Sequence, residues 1–135
     1  MTYLALARAV RALAPTGVAV HVGEAPQSAT LPWVVLNVRA PGVRERSLAS
    51  SPLSGVVRVQ ATCAATSEDA VLVIAEKVAT AFEGARPVAA GWRCSPLRQL
   101  GDTVNPYQDT VVIAAVNKPV VVAAVTFEAT AIRIP

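Results

Sequence analysis

One of the chain's two cysteines, Cys94, stands in the stretch GWRCSPLRQL, Gly91 to Leu100, between Arg93 and Arg98 and close to Trp92. Positive charge near a thiol lowers its pKa and populates the thiolate, the form that acts as a nucleophile. Such chemistry also needs a base, and His21 is the only imidazole in the sequence. His21 has no nucleophile near it in sequence and no second histidine with which to share a metal. Strand parity adds a second argument. In an extended GWRCSPL, Trp92 and Cys94 point to one face while Arg93 and Ser95 point to the other. A cysteine turned inward, away from the cations, behaves as a small hydrophobe with a raised pKa.

Other catalytic patterns fail for stated reasons. The seven glycines are scattered singly, so none forms a phosphate-cradling loop between a strand and a helix, and there is no GxSxG. Glu68, Asp69, Glu76 and Glu83 fit the surface or cap of a helix, whereas Glu24, Asp102 and Asp109 fall in loops with no paired acid. Two cysteines without a CxxC and one histidine make no metal site of ordinary ligand count, and a Cys63–Cys94 disulfide stays open. No catalytic, cofactor-binding or metal-ligating residue is expected. An enzyme using Cys94, with Arg93 or Arg98 to bind an anion, is the weakest of three functional readings.

The chain of 135 residues fits one domain, residues 1–135, with 53% hydrophobic residues against 16% charged. Much of the apolar content is Ala and Val, so a core of wide sheet packing is expected. Twelve Lys and Arg against nine Asp and Glu leave a net charge of +3. Arg8, Arg39, Arg58, Arg86, Arg98 and Arg133 are scattered along the chain and aromatics are only 4%, so no sequence-specific nucleic-acid binding is expected. The N-terminal MTYLALARAV lacks the basic-then-apolar order of a signal peptide. The apolar run Val111 to Phe127 is broken by Asn117, Lys118 and Pro119 and is rich in β-branched residues, so no membrane span is expected.

Spacing at three and four, in Tyr3, Leu6, Val10 and Leu13, predicts a first helix capped by Thr2 and ended by Pro15 and Gly17. Val18, Val20 and Val22 alternate with Ala19 and His21 as a short strand. LPWVVLNVRA alternates as a second, with Val34, Leu36 and Val38 on one face and Trp33, Asn37 and Arg39 on the other. Trp33 is therefore a contact candidate or is covered by a second layer of the same subunit. Pro41 to Ser54 has no period and reads as a long loop around Arg44, Glu45 and Arg46. GVVRVQATCAA puts Val57, Val59, Ala61 and Cys63 inward. Thr66 and Asp69 fit a capping-box variant opening a helix with Val71, Ile74, Ala75, Val78 and Phe82 on its apolar side and Gly84 as its stop. A strand bearing Cys94, a loop from Gly101 to Asp109, VVIAAV and a long amphipathic final strand follow. Runs of strands with two helices and no βαβ alternation predict an α+β fold, a mixed and mostly antiparallel sheet with both helices on one face.

The order of LARAVRALAP, GVAVHVGEAPQSATLPWVVLNV, VVRVQATCAATSEDAVLVIAEKVATAFEG, GWRCSPLRQ and a long last strand resembles the tail terminator, or tail completion, proteins of phages with long non-contractile tails. The resemblance covers most of the chain and rests on order and spacing. It implies a small α+β subunit that self-assembles into a hexameric ring, caps the tail tube protein, ends elongation and joins the head-closure or connector protein. It places the protein in the virion at the head–tail junction, and in the host cytoplasm during assembly, with no cofactor. DNA would pass through the ring lumen. Head-closure and adaptor rings of the neck are the second reading. Apolar residues on both faces of VVIAAV call for a covering neighbour, and DTVVIAAVNKPVVV is long enough for an extra hairpin. The expected contact residues are Trp33, Arg44, Glu45, Arg46, Arg98, Val104, Asn105 and Tyr107.

Overall fold

In the computed structural model, residues 3–25, 31–41, 45–46, 52–101, 103–113 and 118–134 are described, with the backbone alone at 45–46, 52–54, 108–113 and 118–119. Helix α1 (Tyr3–Arg11) leads into β1 (Ala19–Val22), β2 (Trp33–Arg39), β3 (Glu45–Arg46) and β4 (Pro52–Ala65). Helix α2 (Glu68–Phe82) is followed by β5 (Trp92–Cys94), β6 (Arg98–Leu100), β7 (Tyr107–Ile113) and β8 (Lys118–Arg133). The eight strands form one sheet in the order β1-β2-β4-β8-β5, with β3 on β4 and with β6 and β7 on β8. Among the described residues only β1 and β2 run parallel, and every other pair is antiparallel. The α+β fold expected from the sequence is the fold observed.

Two long strands organise everything else. β4 and β8 pair from Ser54 opposite Ile132 to Ala65 opposite Val121. Their inward residues Val57, Val59, Ala61, Cys63 and Ala65 face Ala129, Phe127, Val125, Ala123 and Val121, and all ten are buried. Alanine and cysteine at these positions keep the sheet surface low, which lets α2 lie close over β4 and β8 while α1 covers β2. From α2, Val71, Ile74, Ala75, Val78 and Phe82 enter the core, the set that the helical spacing predicts. The Phe82 and Phe127 rings meet tilted at 5.4 Å between centroids, and both residues are fully buried. At the rim, Tyr3 of α1 stacks on Trp92 with the Arg133 guanidinium 5.3 Å from the Trp92 ring, tying the first helix to the last strand.

Several local expectations are corrected. The cap of α2 is Ser67, whose side chain accepts from the Ala70 backbone N–H at 3.1 Å; Thr66 stands one residue too early for that bond. The segment Pro41–Ser54 is not loop throughout. Its Glu45 pairs with Ser54 and its Arg46 with Pro52, because the β4–β8 ladder reaches back to Ser54 and β3 adds to that end and carries β4 on to Pro52. Tyr107 belongs to β7, so the second loop is shorter than Gly101–Asp109. Lys118 and Pro119 continue β8 instead of breaking it. Pro119 lies beyond the end of β4 and pairs with β7 alone, an edge-like position where a missing N–H is tolerated. The pairing of β7 with β8 is the extra hairpin that the length of this region calls for.

The open face of the sheet as a candidate functional site

Both helices cover one face of the sheet, and the residues of opposite parity form the other face, which neither α1 nor α2 covers. Strand register aligns these residues into rows that run across the strands. At one end, Ala19, Trp33, Ala64, Val122 and Tyr107 stand side by side on β1, β2, β4, β8 and β7. Trp33 is half-buried against Leu31, Ala64, Val120 and Val122, a small apolar cluster separate from the main core. Tyr107 is 59% exposed. Next comes a row of His21, Val35, Thr62 and Ala124, and then Asn37, Gln60, Thr126 and Leu100.

The far end is charged. Arg39 stands opposite Arg58, Arg58 opposite Glu128, and Glu128 opposite Arg98. The Arg58 Nε lies 2.8 Å from Glu128 Oε2, and Arg98 reaches Glu83 at 3.8 Å. Arg39 has no ion pair or hydrogen bond through its side chain among the described residues. Asn37, Arg39, Arg58, Gln60 and Thr126 line a cleft of about 220 Å³ here. Two guanidiniums and two carboxamides form a donor-rich wall suited to an oxyanion, with the Arg fork matched to a carboxylate.

The expected site residues divide between the two ends of this face and its margin. Trp33 and Tyr107 share the apolar row, and Arg98 belongs to the charged one. Val104 is half-buried and packs against the main core, and Asn105 is exposed, its amide donating to Thr103 Oγ1 at 3.1 Å. Glu45 and Arg46 form β3 beside the start of β4, and Arg44 lies outside the described residues. Sequence reasoning missed Arg39, Arg58, Asn37 and Gln60. Parity already sets each opposite the inward valines, but only register shows that arginines scattered in sequence form one row.

Cys94 sits on the helix-covered side, 4% exposed, while Arg93 is exposed. Parity therefore separates them as expected. Burial pushes the Cys94 thiol up, and the cation that opposes this is Arg86, not Arg93 or Arg98. Burial also pushes the Cys63 thiol up, to about 11. Both thiols are free. Cys63 faces Ala123 and Cys94 faces Ala131, eight positions apart on one strand, roughly 26 Å and far beyond disulfide reach. Among the described residues no cluster of His, Cys, Asp and Glu is able to hold a metal, and no helix is long and apolar enough to cross a membrane. No known family profile matches this chain, and no curated protein sequence is similar to it.

Proposed function

We propose that this chain is a structural subunit of a phage tail, a tail terminator that works by self-assembly and surface complementarity. The observation that carries the reading is the sheet face that neither helix covers, where an apolar row five strands wide buries Ala64 and Val122 beside a half-buried Trp33 and ends in the exposed ring of Tyr107. A half-buried tryptophan next to an exposed tyrosine on a face without a helix supports a protein contact, since such aromatic side chains are favoured as interface anchors. Head-to-tail contacts between unlike patches close into rings, which is the assembly that the sequence resemblance implies. The ring caps the tail tube and offers its other side to the head, with DNA passing through its lumen.

Mass photometry of the purified protein, alone and with tail tubes, tests this. Rings that bind tube ends are the expected outcome, and Trp33→Asp abolishes them. A chain that stays monomeric and never associates with tubes overturns the proposal. A ring that binds a portal or connector instead of the tube assigns the protein to the neck, the second reading.

A further inference from the structure

The charged row and the outer face of α2 lie on opposite sides of the subunit, since α2 buries its other side against the sheet. One chain cannot bring the two surfaces together; two chains can. On α2, Glu68 and Glu76 are exposed two turns apart, with Leu72 at 39% and Val73 at 54% exposure between them. Neither carboxylate has an ion pair among the described residues. Two helical turns set Glu68 and Glu76 about 12 Å apart. Across the sheet, Arg39 and Arg98 are separated by three strand spacings, about 14 Å.

We propose that the charged row of one subunit receives α2 of a second copy, its Glu68 and Glu76 seated on the two outer arginines, Arg39, which has no side-chain partner among the described residues, and Arg98, whose 3.8 Å contact with Glu83 is long and exposed enough to be exchanged. The contact deepens the ring reading above and rests on it. Leu72 then has an apolar neighbour in Leu100, which is 40% exposed and two residues from Arg98 on β6. Glu128 explains why the occupant is a helix with two separated carboxylates and not a nucleic acid. A continuous polyanion laid along the row meets Glu128 between its arginines, whereas two single carboxylates straddle the Arg58–Glu128 pair. The contact joins unlike patches, so each subunit uses its sheet face toward one neighbour and its helix face toward the other.

Charge exchange tests the pairing. Sedimentation velocity over a concentration series compares the wild type with Arg39→Glu, Glu68→Arg, Glu76→Arg and the double variants that join Arg39→Glu to each reversal on α2. Circular dichroism confirms that each is folded; all three positions are exposed. Each single reversal raises the concentration needed for half-assembly by about tenfold or more, as does moving from roughly 50 mM to 500 mM salt. One of the two double variants restores assembly. Assembly that is indifferent to Arg39→Glu, or that neither double variant restores, overturns this contact while leaving the ring standing. A wild-type chain that is monomeric with and without tail tubes defeats the ring reading, and this contact with it.

Discussion

Arg58 and Glu128 stand opposite each other across the central β4–β8 ladder, joined by a 2.8 Å contact, while Arg39 faces Arg58 from the other side. Like charges directly opposite in a sheet repel, and Glu128 screens that repulsion. Arg39→Thr removes one cation and puts a good strand former in its place, so it stabilises the subunit by a few tenths to about 1 kcal/mol. Glu128→Gln leaves the arginines facing one another uncompensated and costs about as much. Urea unfolding at low and high salt reads both, and both effects shrink as salt rises. A destabilising Arg39→Thr would remove the case for repulsion in this row.

A second prediction concerns the join between β5 and β6. Cys94 faces Ala131 and Arg98 faces Glu128, so four steps of the edge chain span three of β8, a bulge of one residue. Pro96 has no N–H, and Ser95 takes over the ladder. Its backbone N–H donates to the Thr130 carbonyl at 2.9 Å, and its Oγ accepts from the Thr130 N–H at 2.9 Å. The bulge resets parity, turning Leu97 into the core and Arg98 onto the open face. Ser95→Ala strands the part-buried Thr130 N–H and costs about 1 to 2 kcal/mol. Native-state hydrogen exchange checks it, with Thr130 the amide whose protection falls most; an unchanged Thr130 rate would sink the account.

This bulge also shows where sequence reading stops. Period-two alternation in Val57, Val59, Ala61 and Cys63, and helical spacing in Val71 through Phe82, are local signals set by which side of an element meets the core, and they were legible. The strand character of Glu45, Arg46 and Pro52 comes from ladder bonds to distant residues, which leave no pattern in a short polar segment. The candidate site was legible only in part for the same reason. Trp33 is recognisable as an outward residue, whereas plain alternation from Cys94 turns Arg98 inward, and the row of Arg39, Arg58, Glu128 and Arg98 depends on registers among four strands up to 89 positions apart in sequence, from Arg39 to Glu128.

The last prediction concerns Cys63, buried opposite Ala123 in the middle of the core. Burial lifts its thiol from the ordinary 9.0 to about 11, so the folded state holds the proton more tightly than the unfolded chain. The unfolded chain therefore loses this proton first as pH rises, and ionisation there favours unfolding. Below pH 9 both states are protonated and stability is independent of this group. Between pH 9 and 11 stability falls, and above 11 the loss is complete, on the order of 3 kcal/mol for a shift of this size. Cys63→Ala removes the dependence, so the difference between its urea-unfolding profile and that of wild type across pH 8 to 11 isolates the thiol from tyrosine and lysine titration. The same burial keeps Cys63 and Cys94 silent toward a thiol reagent at neutral pH until urea unfolds the chain. Rapid labelling of Cys94 in the folded protein would contradict its place in the core and bring back thiol chemistry.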